Sequence, residues 1–160
     1  MITGVLLGVY ASAGLSRRVS GLELAHRLIA RVASQIRYTA APAGEILLDA
    51  AAREEFRALP FLQRLRQLLD EQGKLPSAWR QAVNEGRSES HFTEADAELL
   101  LGFGDVLGKT DVEGQLENCR LFSELLQEHL TAARQQAATK SRLYITLGAA
   151  GGMALALVLL

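Results

Sequence analysis

The sequence has few of the residues that build catalytic or metal sites. It contains one cysteine, Cys119, and three widely separated histidines, His26, His91 and His129. No C-x-x-C pair and no H-E-x-x-H motif occurs, which excludes the common zinc sites and dithiol redox pairs. The glycines at 102, 104 and 108 are not preceded by a predicted strand, as those of a phosphate-binding loop are, and are typical of a helix end. We therefore expect no enzyme activity, no cofactor and no metal ion.

Charge is also missing from both ends of the chain. Residues 1–15 and 143–160 contain no Asp, Glu, Lys or Arg. As a helix the C-terminal segment would measure about 27 Å, close to the ~30 Å hydrocarbon core of a bilayer. The N-terminal segment would measure only about 22 Å, so either the bilayer would have to thin or Arg17 and Arg18 would have to reach to the membrane interface. We predict a membrane hairpin with segments 1–15 and 143–160 around a polar domain at 16–142.

The N-terminal segment leaves an alternative open. Ala11-Ser12-Ala13 has the form of a signal-peptide cleavage site, but no positive charge precedes Arg17, which favours a retained anchor. Small residues recur at every fourth position in both segments and would let two helix backbones approach closely in lipid. They are Gly4, Gly8 and Ser12, and Gly148, Gly152 and Ala156. This pattern predicts packing within the hairpin or between copies of a homo-oligomer.

The distribution of charge predicts orientation and partners. Residues 16–37 hold five arginines and one acid, whereas residues 38–122 hold nine basic and fifteen acidic residues. Because basic residues beside membrane segments stay in the cytoplasm, the middle domain is predicted to be cytoplasmic. No basic patch is interleaved with aromatic residues, so a lipid bilayer is an expected partner and nucleic acid is not.

The middle domain has a helical composition, rich in Ala, Leu, Glu, Arg and Gln. The apolar stripe over 22–36 predicts a helix continuous with the first membrane segment. Proline and glycine divide the next stretch into short helices over about 42–52, 61–72 and 76–86. A Thr93–Asp96 capping box opens another helix, and a last helix from about residue 111 runs unbroken into the second membrane segment. The sequence thus predicts an all-α, antiparallel helical bundle of about five or six helices between two transmembrane helices.

The turn at 108–115 has two interpretations. In the first it only connects two helices, with Gly108 as C-cap and either Thr110 or Asp111 as N-cap, and Glu113 closing a second capping box. In the second it presents an exposed contact surface for a partner, at the end farthest from the membrane. That surface would consist of Lys109, Asp111, Glu113 and Gln115.

The same stretch carries a family resemblance. Phe103-Gly104, Leu107-Gly108, Thr110-Asp111 and Gly114-Gln115 follow one another in order. Further matches are Ile36-Arg37-Tyr38 before Pro42, Trp79 four residues after Leu75, and the glycine- and leucine-rich end at 141–160. With these motifs the chain resembles stage III sporulation protein AB, a membrane component of spore-forming Firmicutes. Thr39 and Ala43 depart from the family pattern, which has a glycine and a leucine there.

This resemblance implies a place in an eight-protein complex of the mother-cell membrane around the forespore, part of a channel-like apparatus. The implied partners are the other stage III proteins, including the ATPase of the complex. The middle domain would be similar to the helical F domain of the type II secretion platform protein, a non-enzymatic scaffold. Two alternatives remain. A secretion or pilus platform is disfavoured by the single copy of the domain, and a small-molecule-binding membrane sensor would need converging buried polar groups.

Overall fold

The computed structural model describes the backbone of residues 2–39 and 41–158, and the side chains of residues 13–139 except Ala40 and Gln72. The small residues expected to pack in lipid lie outside the described side chains, so that packing stays a prediction. These residues are Gly4, Gly8, Ser12, Gly148, Gly152 and Ala156.

All regular secondary structure in the described backbone is helical, which confirms the all-α prediction. It forms six α-helices and one short 3₁₀ turn at Glu54–Phe56, which the sequence analysis missed. The α-helices are α1 (Ile2–Tyr38), α2 (Ala43–Ala51), α3 (Pro60–Gln72), α4 (Leu75–Gly86), α5 (Glu94–Val106) and α6 (Val112–Val158). Among the described residues, no helix is both long and apolar enough to cross a membrane.

The two long helices, α1 and α6, pair antiparallel and form the frame of the bundle. Arg18 Nη1 donates to Gln136 Oε1 at 3.0 Å, and His26 Nε2 lies 2.9 Å from Ser123 Oγ. These pairs place the start of the polar domain beside its end, which we call the proximal end. The opposite end, where α1 stops and α6 starts, is the distal end. Helices α2 to α5 pack one on the next and close the bundle between α1 and α6.

The buried stripes follow the predicted helical spacing. All five stripe residues of α1 are buried, and α6 contributes a matching row. The two rows are Leu22, Ala25, Ile29, Val32 and Ile36, and Cys119, Leu126, Leu130 and Ala133. Because stripes three and four residues apart share a helix face, each helix buries a single face against the other.

Trp79 forms the centre of the core. Its ring lies 5.6 Å from that of Phe61 and 5.9 Å from that of Phe103, both edge to face. Its indole N–H donates to the Leu100 carbonyl at 2.7 Å, which satisfies its one polar atom. Gly104 packs directly under the ring, where any Cβ would collide with it. This close approach explains why a glycine lies in the last turn of α5.

Local signals define most of the helix ends. Gly73 has φ 65° and ends α3 in the left-handed conformation. Thr93 Oγ1 accepts from the Asp96 N–H, and the Asp96 carboxylate accepts from the Thr93 N–H, which confirms the predicted capping box. Pro42 precedes α2 as its N-cap, and α1 ends at Tyr38.

Candidate functional site

The turn between α5 and α6 contains the predicted contact residues. Gly108 has φ 78°, which few other residues adopt. Helix α6 begins at Val112, so Asp111 is its N-cap, and its Oδ1 accepts from the Gly114 N–H at 2.9 Å. The expectation of a Thr110–Glu113 capping box is wrong because the helix starts one residue later and glycine occupies the third helical position.

Gln115 is a brace of this turn as well as a predicted contact residue. Its Oε1 accepts from the Gly108 N–H at 3.2 Å, and its Nε2 donates to the Thr110 carbonyl at 3.0 Å. One side chain therefore satisfies backbone groups on both sides of the turn. Lys109 and Glu113 are exposed and make no such bond in the described structure. Of the four predicted contact residues, these two are free to meet a partner.

An open groove of about 430 Å³ lies beside this turn, between α1 and α6. Its apolar lining comes from the facing rows of both helices, and charged side chains of both signs border it. The apolar residues are Ile29, Ala30, Ala33, Leu116 and Cys119, and the charged ones are Arg37, Glu113, Glu117 and Arg120. Burial raises the pKa of the Cys119 thiol to about 11, so this cysteine stays protonated and unreactive at neutral pH.

Large exposed apolar side chains lie on α1 and α6, the two helices that border the groove. Within the described residues they are Tyr38 at 80% exposed, Val112 at 51% and Leu121 at 47%. Tyr38 ends α1, Val112 begins α6, and Leu121 lies about 13 Å further along α6. We call Tyr38, Val112 and Leu121 the distal surface. Val112 and Leu121 are nine residues apart and so face opposite sides of α6, which makes each exposed side chain a separate candidate for contact with another protein.

The proximal end instead buries a polar network that the sequence analysis missed. The Asp96 carboxylate accepts two hydrogen bonds from Arg18. Nε donates to Oδ2 at 2.7 Å, and Nη2 donates to Oδ1 at 3.0 Å. His129 Nδ1 lies 2.7 Å from Oδ1, and the Thr93 N–H donates to Oδ2 at 2.9 Å. Together with Gln136, which accepts from Arg18, these residues form what we call the Asp96 cluster. It joins α1, α5 and α6.

The charges and hydrogen bonds of the Asp96 cluster are satisfied within the cluster itself. The Asp96 side chain is fully buried, and burial alone would raise its pKa. The hydrogen bonds from Arg18, His129 and Thr93 outweigh that effect and lower the pKa from 3.8 to about 2. Since a carboxylate only accepts hydrogen bonds, His129 Nδ1 must carry a hydrogen. Both carboxylate oxygens accept two bonds each, which leaves Asp96 no capacity for a substrate.

A sequence signal for this cluster exists. Arg18 lies four residues before Leu22 and so continues the 4-3-4-3 spacing of the α1 stripe into the bundle. Its position beside the N-terminal membrane segment suggested instead that the Arg18 side chain reaches the membrane interface. That expectation is wrong, because Arg18 is 8% exposed and its charge is paired with Asp96. Arg17, which is exposed, remains consistent with it.

The comparisons with known proteins agree with the motifs around Phe103–Gln115. The family model described as stage III sporulation protein AB (spore_III_AB) matches residues 1–160. The chain belongs to this family and is therefore a sporulation-related protein. No curated protein and no solved structure matches the chain.

Proposed function

We propose that this sporulation protein is a membrane-anchored, non-enzymatic scaffold of the complex between mother cell and forespore. The antiparallel pairing of α1 with α6 supports a two-pass hairpin, because it brings residues 16 and 142 to the same end of the bundle. The two uncharged segments, 1–15 and 143–160, would enter the bilayer side by side. Residues 16–142 would then face the mother-cell cytoplasm, with the proximal end at the membrane around the forespore.

The distal surface is the observation that carries this proposal. From residue 16 to Tyr38, α1 measures about 33 Å, so the exposed apolar side chains lie well away from the proposed membrane. An aromatic residue beside an apolar groove with charges at its rim is the composition expected of a protein interface. Its partner would be another stage III protein, with the ATPase of the complex as one candidate.

The Asp96 cluster favours a scaffold over the sensor alternative. A sensor would present converging polar groups with free bonding capacity to its ligand. Arg18, Asp96 and His129 do converge in the bundle, but they satisfy one another. Their arrangement supports a structural role, in which three helices are held in fixed positions.

Co-purification tests the assembly role. The full chain carries Tyr38→Ser, Val112→Ser and Leu121→Ser together, and the matched control carries Arg66→Ser, Asn84→Ser and Glu98→Ser, also exposed. Each is purified from sporulating cells and probed for the other stage III proteins. We expect the distal variant to lose them while its melting temperature stays that of the control. Retention of every partner by the distal variant would refute the assembly role of this surface.

A further inference from the structure

A second open cavity, of about 630 Å³, lies at the proximal end, between the first turns of the polar part of α1 and the turn that follows α4. Six side chains with hydrogen-bond donors line it. They are Ser16, Arg17, Ser20, Ser88, Ser90 and His91. In the part of the chain that the structure describes, none of these six side chains has a partner.

Ser90 is the most informative of the six. It is 5% exposed, and its buried hydroxyl has no hydrogen-bond partner among the described residues. A buried polar group without a partner destabilises a fold, so native structures seldom retain one without a reason. Because the Oγ atom itself is occluded, a rotation about the Ser90 Cα–Cβ bond would have to present this hydroxyl to an acceptor oxygen in the cavity.

The wall that carries Ser90 packs closely against α1. His91 adopts φ 54°, an uncommon conformation for a residue with a side chain. The next residue, Phe92, packs so close to α1 that a Cβ on Gly21 would come within 2.8 Å of its ring. Gly14 similarly leaves room for the imidazole of His91. These close contacts fix the position of this wall of the cavity beside α1.

We propose that this cavity binds a phosphate group. Arg17 supplies the guanidinium that suits phosphate, and Ser16, Ser20 and Ser90 supply hydroxyl donors. Glu89 also lines the cavity and would repel a bare phosphate ion. It suits a phosphate ester whose alcohol or ammonium group donates to the carboxylate.

A phospholipid headgroup has this chemistry, and the position of the cavity agrees with it. Ser16 directly follows the uncharged segment 1–15, so the cavity would open at headgroup level. This source of the phosphate rests on the proposed function, since it requires the hairpin to lie in a bilayer. Binding of free phosphate does not.

The test is native mass spectrometry of the full chain in detergent, titrated with phosphatidylglycerol and, separately, with inorganic phosphate. Arg17→Gln should weaken phosphatidylglycerol binding about tenfold or more, because a charge-assisted contact is lost. Arg27→Gln is the matched control: Arg27 is also exposed on α1 but outside the cavity, and its contact with Glu55 is 3.8 Å long. It should change the affinity by less than about twofold.

Ser90→Ala separates binding from folding. Removing a hydroxyl that has no partner should leave the melting temperature of the free chain unchanged or higher. The same change should weaken phosphatidylglycerol binding by about threefold or more. A variant that binds as well as the parent would overturn the assignment of Ser90 as a ligand donor.

Two results would overturn the site itself: equal weakening by Arg17→Gln and Arg27→Gln, which indicates diffuse charge attraction, or no binding of either titrant. Binding of inorganic phosphate with the same dependence on Arg17, without binding of the lipid, would sustain the site and assign it to free phosphate. Because that arm needs no bilayer, a failed membrane topology and a failed phosphate site give different results.

Discussion

The Asp96 cluster and the distal surface differ in whether their side chains have partners within the fold. At the proximal end, Arg18 and His129 bind a fully buried Asp96, and every acceptor site of that carboxylate is used. At the distal end, Tyr38 and Val112 leave large apolar surfaces exposed beside an open groove. The comparison teaches where to look for partners. Polar groups whose hydrogen-bonding capacity is fully used hold the fold together. Exposed apolar side chains, by contrast, are available for binding another protein.

The largest expected effect on stability comes from breaking the Asp96 cluster. Asp96→Leu leaves the Arg18 guanidinium buried without its partner, which should reduce the free energy of unfolding by about 3–5 kcal/mol. Urea unfolding of the full chain in detergent measures it. Asp105→Leu is the control, since it breaks the exposed ion pair with Arg80 and should cost less than about 1 kcal/mol.

The double variant Arg18→Met/Asp96→Leu sharpens this prediction. It replaces both charges by apolar groups and should recover most of the loss. If Asp96→Leu and Asp105→Leu proved equally mild, the proximal end would not be a structural tie.

The next largest effect is expected from acid, which should weaken the Asp96 cluster. The pKa of Asp96 is about 2 in the folded chain, below its ordinary value of 3.8. A lowered carboxyl pKa stabilises the fold fully above the ordinary value, and the stabilisation is lost as the pH falls through about 2. The contribution is about 2 kcal/mol. Unfolding free energies near pH 5 and pH 2 should therefore differ more in the parent than in Arg18→Met/Asp96→Leu. An identical pH dependence of the two chains would contradict the assigned role.

The smallest effects are expected in the distal turn. Gln115→Ala removes two bonds to backbone groups, and Asp111→Ala removes the α6 cap, so each should cost about 1 kcal/mol of unfolding free energy. Asp111→Ser keeps the cap and should retain most of it. Glu113→Ala should stay within about 0.5 kcal/mol. If urea unfolding gave Gln115→Ala the same value as Glu113→Ala, Gln115 would not be a brace.

The helices were predictable from the sequence because their signals are local. Apolar residues three and four apart, Gly73 after α3 and the Thr93–Asp96 box each act within one or two turns. The Asp96 cluster depends on pairing residues that are distant in sequence. Arg18 and Asp96 are 78 positions apart, and His129 is 33 positions beyond Asp96.

The residues whose roles were predicted wrongly show that sequence signals can also be ambiguous between neighbouring positions. The position of Arg18 fits two interpretations, a residue beside a membrane segment and a member of the buried α1 stripe. Only the position of α5, which carries Asp96, decides between them. At the distal turn, Thr110 and Asp111 are both good caps, and a one-residue shift in the start of α6 selects Asp111. The bracing role of Gln115 requires the turn conformation, which residue types alone do not specify.

Cysteine labelling tests the orientation of the two ends most directly. In a chain where Cys119 is replaced by alanine, a single cysteine is placed at exposed Asn84 or at Leu160. Gly86 is unsuitable, since any Cβ there would lie 2.6 Å from the Phe61 backbone nitrogen. In non-sporulating cells that produce the chain, the far side of the membrane is open to the medium, so an impermeant maleimide should label Leu160→Cys in intact cells and Asn84→Cys only after the cells are opened. Labelling of Asn84→Cys in intact cells would contradict a scaffold whose bundle faces the cytoplasm.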